Sequence, residues 1–175
     1  NHFAVRKTVM EHLARVHADQ LPLVIFRSFN YTGPHQRKGF LVPKMLLHFL
    51  RRSPFIELGN IHVEREFNDV RMVCDAFLKF VQHGVPSETY NVCSGVTFSL
   101  GQVLEILTEL TAHTLEIRIN PGLIQTSEIH TLCGNSKKLE SAIGELTDIS
   151  LRETLAWMQS APPVSSDRHA DTSCL

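Results

Sequence analysis

The chain has 175 residues, of which 43% are hydrophobic, and its 17 Lys and Arg against 18 Asp and Glu give a formal net charge of −1. This length and composition predict one compact core, and the near-zero charge argues against nucleic-acid wrapping while it permits a small anionic ligand. No apolar run approaches the roughly 18 residues of a membrane span and no signal peptide is visible, so we expect a cytoplasmic protein.

The first elements are an amphipathic helix and an apolar strand. From residue 4 to residue 20 the apolar residues recur every three or four positions, as on one face of a helix. The run LPLVIF at 21–26 then predicts a buried strand, and this order is typical of a parallel α/β sheet. Because one strand cannot make such a sheet, we expect it to need neighbours that this chain does not contain, and the chain to be a fragment. The helical stripe consists of Val5, Val9, Met10, Leu13 and Val16.

Short strands and further helices alternate along the rest of the chain. After a loop at 29–39, strands are predicted at 55–58, 89–94 and 114–120, the last of them half-buried because its residues alternate. A helix is predicted at 42–52, a short one at 136–143, and two more after the capping boxes that Ser99 and Gln102, and Ser150 and Glu153, form. The polar residues 161–175 predict a disordered tail.

One more helix is predicted to begin after a cap at Asn68 or Asp69. Asp69 is better explained as this cap than as a ligand-binding residue, and the single Trp157 as core packing than as stacking on a base. The apolar stripe of the helix consists of Val70, Val73, Phe77, Phe80 and Val81.

The cysteines and histidines predict no metal site. The four cysteines lie at 74, 93, 133 and 174 without a CxxC pair, and the ten histidines form no ligand motif. Scattered Cys residues favour reduced thiols, and we expect Cys74 and Cys93 to be small core side chains.

Phe3 and Lys7 share a helix face because they lie four residues apart. A Tyr at the first position would form a proton-transfer pair with the Lys, whose ammonium lowers the pKa of the phenol and holds a cofactor ribose. Phe3 has no oxygen, so only the ribose-binding role remains for Lys7. The spacing alone is better explained by a packed Phe and an exposed Lys on a helix.

Several segments in order resemble the extended short-chain dehydrogenase/reductases, the nucleotide-sugar epimerases, dehydratases and reductases. NHFAVRK resembles N-P-Y-A-x-S-K, RSFNYTGP resembles R-x-F-N-x-x-G-P, and ELGNIHVEREFNDVRMV resembles G-N-x-x-x-x-R-D-F-x-D-V-R-D. GFLVPKM, YNVCSG and a late S-E and K-L segment complete the series, which runs from residue 1 to about residue 160. The second and third segments look most like GDP-4-keto-6-deoxymannose reductases and GDP-mannose 4,6-dehydratases.

The resemblance implies an α/β fold, the C-terminal part of a Rossmann-like fold with the last helix and strand of its parallel sheet. Residues 1–32 would be the remnant of the dinucleotide-binding domain, and 33–160 a smaller α+β domain that binds a nucleotide-diphosphate sugar. NAD or NADP is the implied cofactor. No G-x-x-G-x-x-G loop exists in the chain, so binding of the dinucleotide by this chain alone is doubtful.

The family pattern also implies site residues. Lys7 and the Tyr position, here Phe3, would be catalytic, and Lys7, Ser28 and Pro34 would meet the cofactor. Asn30, Lys44, Arg65 and Glu128 would meet the substrate, with Arg65 clasping the diphosphate through two parallel hydrogen bonds. Asn30 fits a turn equally well, Lys44 a solvated helix charge and Glu128 a surface carboxylate. The chain departs from the pattern at Phe3 and at Gln125, where relatives have Arg.

Two functions remain open from the sequence. The chain is the substrate-binding part of an NAD(P)-dependent nucleotide-sugar reductase, dehydratase or epimerase, with activity reduced or absent because of Phe3. Alternatively it is a non-catalytic nucleotide-sugar-binding or protein-interaction module, in which the first helix and strand pair with another copy or another chain.

Overall fold

The computed structural model describes residues 2–83, 88–124 and 129–161, with side chains from residue 5 onward. The helices are α1 (His2–Val16), α2 (Leu41–Leu50), α3 (Val70–His83), α4 (Leu100–Thr111), α5 (Lys137–Ile143) and α6 (Leu151–Ser160). The strands are β1 (Ile25–Ser28), β2 (Tyr31–Thr32), β3 (Phe55–Leu58), β4 (Glu64–Arg65), β5 (Asn68–Asp69), β6 (Thr89–Val92), β7 (Phe98–Ser99), β8 (Glu116–Ile119) and β9 (Thr131–Leu132). This is the predicted mixed α/β class.

Most of the strand pairs are parallel. β1 pairs with β6, β2 with β5, and β3 with β8, all in parallel. The short strand β4 lies between β7, to which it is antiparallel, and β9, to which it is parallel. Parallel partners need a long crossover connection, so residues from distant parts of the chain meet along β4.

Two hydrophobic clusters hold these elements. The first joins β1 and β6 to α3 and α5, where Phe26 packs edge-on against Phe77 and Phe80 with ring centroids 4.6 and 4.9 Å away. The second joins α2, β3, α4 and α6 around the fully buried Phe49 and Leu155. Elements on both sides of residue 32 share the first cluster, and the division into two domains at that residue stays a prediction.

Local capping signals are confirmed. Asp69 caps α3, because its Oδ1 accepts a hydrogen bond of 2.7 Å from the backbone N–H of Arg71. Both predicted capping boxes are present, at the beginning of α4 and of α6. Trp157, on α6, is half-buried, and the Arg71 guanidinium lies 4.1 Å from the centre of its ring.

Several predictions about burial are wrong. The run 21–26 is not a buried strand, since the strand begins at Ile25 and Leu21 is 60% exposed. The strand has a parallel neighbour within the chain, β6, and the two form a two-stranded sheet among the described residues. That it needs further neighbours from outside this chain stays a prediction. All four residues of β8 are exposed, not half-buried. The stripe of α1 is also exposed, with values between 48% at Val9 and 71% at Val16.

The buried face of α3 is rotated from the predicted one. Val73 and Phe80 are buried, but Phe77 is 41% and Val81 85% exposed, while Met72 and Ala76 take their places. Cys93 is buried as predicted, and the prediction for Cys74 is wrong because its side chain is exposed. The predicted tail lies outside the described residues apart from Ala161. Within the described part of the chain, no helix is long and apolar enough to cross a membrane.

Candidate functional site

Arg65 lies in the middle strand of the three-stranded sheet. Its Nη1 donates hydrogen bonds to the carbonyl oxygens of Glu64, at 2.7 Å, and of His130, at 3.1 Å. The second of these residues immediately precedes β9, so the guanidinium connects β4 with the entry to its neighbouring strand. Fixing a guanidinium in this way sets the direction of its planar fork, which suits bidentate binding of phosphate.

Glu66, the next residue, points into the protein and is only 1% exposed. Its carboxylate accepts hydrogen bonds from the backbone N–H groups of Ser94 at 2.9 Å, of Gly95 at 3.3 Å and of Gly134. Two side chains add to these, Asn68 Nδ2 at 3.2 Å and Ser94 Oγ at 3.4 Å. Glu66 is not among the site residues predicted from the sequence, although it directly follows the candidate anion-binding Arg65.

Asn30 is joined to the same region through its backbone. Its carbonyl oxygen accepts hydrogen bonds from the backbone N–H of Asn68, at 2.9 Å, and from the Nδ2 of the same residue, at 3.0 Å. Asn68 is 3% exposed, whereas Asn30 is exposed. The structure therefore links two of the predicted substrate residues, Asn30 and Arg65, to the segment of residues 65–68.

Lys44 lies on α2, half-buried, at the edge of β3. Its Nζ donates a hydrogen bond of 3.3 Å to the carbonyl oxygen of Glu57. Asn120, at the end of β8, donates from its Nδ2 to the carboxylate of Glu57 at 3.4 Å. These contacts place Lys44 beside the β3–β8 pair, and no described contact joins it to Arg65.

Two of the predicted cofactor residues, Lys7 and Ser28, lie on α1 and β1, and the third, Pro34, follows β2. Lys7 lines a polar cavity of about 390 Å³ between these elements, together with Thr8, Glu11, His12, Arg15 and Arg27. Arg27 donates two hydrogen bonds to the carboxylate of Glu11, at 2.9 and 2.6 Å, and thereby ties β1 to α1. These bonds lower the pKa of Glu11 and raise that of Arg27. Ser28, at the end of β1, is exposed, and Pro34 is half-buried.

Two predicted site residues cannot be placed. The backbone of Phe3 belongs to α1, but its side chain lies outside the described residues, and so does all of Glu128. Gln125, the second departure from the family pattern, also lies outside them.

A second cavity, of about 460 Å³, lies beside Asn68 and Ser94. Three carboxylate residues line it, Asp69, Glu140 and Asp148, and no Lys or Arg is among the described residues of its wall. Such a lining repels a diphosphate, and none of the predicted substrate residues reaches the cavity.

The parallel strand pairs with helices between them define an α/β chain of the Rossmann-like class. A family profile described as the NAD dependent epimerase/dehydratase family matches residues 1–93. The chain belongs to the NAD dependent epimerase/dehydratase family.

Two relatives act on GDP-activated deoxysugars according to their names. GDP-6-deoxy-D-talose 4-dehydrogenase of Aggregatibacter actinomycetemcomitans is 32% identical over 144 residues, which are 82% of this chain and 49% of the relative. GDP-6-deoxy-D-mannose reductase of Pseudomonas aeruginosa is 28% identical over 138 residues, 76% of this chain and 45% of the relative. The chain thus spans about half the length of the curated relatives it matches.

Solved structures agree with this assignment. A Burkholderia cenocepacia protein that is only provisionally named an epimerase has a TM-score of 0.88 at 42% identity, over 92% of this chain and 55% of that one. The P. aeruginosa protein RMD, solved with NADPH, has a TM-score of 0.85 at 28% identity, over 91% of this chain and 55% of that one. Known structures of this kind therefore hold NAD(P).

The described residues fit part of such a cofactor. Lys7 and Ser28 lie on the adjacent elements α1 and β1, which the pair of Glu11 and Arg27 holds together. An ammonium there can donate hydrogen bonds to ribose hydroxyls. The pyrophosphate has no glycine-rich loop to bind it among these 175 residues.

Proposed function

We propose that this chain is the nucleotide-sugar-binding part of an NAD(P)-dependent reductase, dehydratase or epimerase, with a GDP-activated deoxyhexose as its favoured substrate. The similarity to two enzymes named for GDP-6-deoxyhexoses supports the substrate class. The observation that carries the binding role is the placement of Arg65, whose guanidinium is fixed by two carbonyl oxygens on the central strand of its sheet. Asn30 and Lys44 are the further proposed substrate contacts, and Glu128 the fourth.

Calorimetric titration with GDP-mannose tests the binding role. Arg65→Ala removes the charge-assisted hydrogen bonds to phosphate, so we expect it to weaken binding by about 2 kcal/mol, or roughly 30-fold in Kd. Arg152→Ala is the matched control, because this exposed Arg of α6 pairs with Glu109 of α4 and has no described contact with Arg65. Equal affinities of wild type and Arg65→Ala would remove the diphosphate role, and absence of binding in the wild type would remove the proposed function.

The catalytic role is proposed to be impaired. The bound dinucleotide supplies or accepts the hydride, and Lys7 would hold its ribose, but Phe3 has no group that moves a proton. A dinucleotide loop from a further Rossmann segment is needed for that step, and we propose that such a segment completes the protein. We expect turnover of GDP-4-keto-6-deoxymannose with NADPH to rise at least about a hundredfold in Phe3→Tyr of the whole protein, the lower end of the typical contribution of a proton-transfer group. Unchanged turnover would favour the alternative, a non-catalytic nucleotide-sugar-binding module.

A further inference from the structure

Glu66 is buried among hydrogen-bond donors. Its carboxylate has five described donors from four residues, three of them backbone N–H groups, and the described contacts of its oxygens include no Lys or Arg. A carboxylate only accepts hydrogen bonds, and bonds of this kind to an ionised acceptor are strong enough to offset the loss of its hydration. A Gln at this position would place its NH₂ group, which only donates hydrogen bonds, against other donors.

The donors come from three separate parts of the chain. Ser94 and Gly95 form the turn after β6, Gly134 follows β9, and Asn68 belongs to β5. The backbone N–H of Asn68 and its side-chain Nδ2 also donate hydrogen bonds to the carbonyl oxygen of Asn30. The carboxylate thus joins the turn after β6 and the end of β9 to the strands β4 and β5.

The same connections lead to Arg65. β9 runs parallel to β4, with Leu132 opposite Arg65. The guanidinium holds the residue before this strand, His130, and the Glu66 carboxylate holds Gly134 just beyond its other end. Because neighbouring residues of an extended segment point to opposite sides, Glu66 reaches inward from the same segment that presents Arg65.

We propose that Glu66 is a positioning residue that fixes Arg65 and Asn30 in one arrangement for the diphosphate of the nucleotide sugar. This inference rests on the proposed function, because it assigns a role within the same site. With 1% of its surface exposed, Glu66 offers no face to a substrate. It acts by holding β9 against β4 and by holding Asn68 under the carbonyl of Asn30.

A double-mutant cycle with GDP-mannose tests this proposal. In the wild-type background Arg65→Ala should weaken binding roughly 30-fold. In a Glu66→Gln background the guanidinium is no longer held in place, so the same substitution should weaken binding less than about fivefold. Lys44→Ala should have equal effects in both backgrounds, because no described contact joins it to this network. An unchanged Arg65→Ala effect in the Glu66→Gln background would overturn the proposal.

Two additions keep the outcome clear. Glu66→Asp retains the charge but shortens the reach, and it replaces Glu66→Gln in the cycle if that variant does not fold. A ligand-free measurement follows the guanidinium Nη–H signals of the arginines by NMR at low temperature. Hydrogen exchange at Arg65 Nη1, which donates to the carbonyl oxygens of Glu64 and His130, should become at least about tenfold faster in Glu66→Gln as its opening free energy falls, while Arg118, whose Nη2 donates to Glu116, stays unchanged. If the wild type binds no nucleotide sugar, the proposed function fails, and equal exchange at Arg65 in both proteins would refute the positioning role itself.

Discussion

At the scale of single residues, Gly134 is a position that has no space for a side chain. A Cβ atom there would lie 2.6 Å from the Sγ and 2.8 Å from the Cβ of Cys93, and 2.8 Å from the ring of Phe29. Cys93 is fully buried and cannot move aside toward solvent. The glycine is therefore required by the close approach of the segment after β9 to the end of β6, the same approach that brings its N–H to Glu66.

We expect Gly134→Ala to lower the free energy of unfolding by about 1–3 kcal/mol, as overpacking in a close-packed interior does. Gly39→Ala is the control, since nothing lies within 4 Å of a Cβ at that position, and its effect should stay within about 0.5 kcal/mol. Urea unfolding curves of both variants give the comparison. Equal midpoints for the two alanine variants would show that the segment around Gly134 accommodates a methyl group without loss of stability.

At the scale of secondary-structure elements, Asp69 connects α3 to α6. Its carboxylate caps α3 through the backbone N–H of Arg71, accepts two hydrogen bonds from the guanidinium of the same residue, and accepts one of 2.7 Å from Thr154 Oγ1. Burial alone would raise the pKa of Asp69, but the hydrogen bonds from Arg71 and Thr154 outweigh it and lower the pKa. The ionised form is therefore the one that stabilises the fold.

We expect Asp69→Asn to lower the free energy of unfolding at pH 7 by about 1–2 kcal/mol, the size of a lost cap with its charge-assisted bond. A group whose pKa is lower in the folded protein stabilises it above the ordinary pKa of about 3.9, and this contribution is lost as pH falls through the folded value. The difference in free energy of unfolding between wild type and Asp69→Asn, measured in urea, should therefore be constant from pH 7 to 5 and become smaller below pH 4. If this difference did not change with pH, the charge of Asp69 would not contribute to stability.

Elements that depend on near neighbours could be predicted from the sequence. The caps of α3, α4 and α6 follow from residues three apart or fewer, and β3 occupies the predicted residues. Burial could not be predicted in the same way, because it depends on what packs against an element. The alternation of apolar and polar residues in β8 predicts one buried face. The strand pairs only with β3 among the described residues, however, and both of its faces are exposed.

The same distinction between local and long-range contacts applies to the residues of the candidate site. Arg65 was identified from a contiguous motif, and the structure places it on a central strand. Glu66 was missed because the donors that give it a role lie 28 residues away at Ser94 and 68 residues away at Gly134. No local pattern reports contacts of that range. Only the parallel pairing of β4 with β9 and the return of the chain after β6 bring them together.

At the scale of the whole molecule, the two hydrophobic clusters are connected through a short stretch of backbone. Phe67 belongs to the cluster of α2, β3, α4 and α6, and Met72 to the cluster of β1, β6, α3 and α5. Glu66 and Asp69 add hydrogen bonds between these parts. Connections of this kind favour one cooperative unit.

We expect both clusters to unfold together in urea. Trp157, the single tryptophan, reports on α6 by fluorescence. Cys93 reports on the end of β6, because burial raises the pKa of its thiol to about 12 and keeps it unreactive until the chain opens. With the other three cysteines replaced by Ser, pulse labelling of Cys93 and the fluorescence change should share one midpoint. Separate midpoints would mean that the clusters are independent units.

The parallel pairing of β1 with β6 and of β3 with β8 also affects how fast the chain can fold. Each pair joins residues about 60 positions apart, so the intervening segment must close as a large loop before any of its strand contacts form. Local contacts within the helices do not shorten that step. Refolding should therefore fall in the slow range of milliseconds to seconds that is typical of non-local sheets, and the two strand pairs leave newly made chains with unpaired strands for longer than a helical protein of equal length.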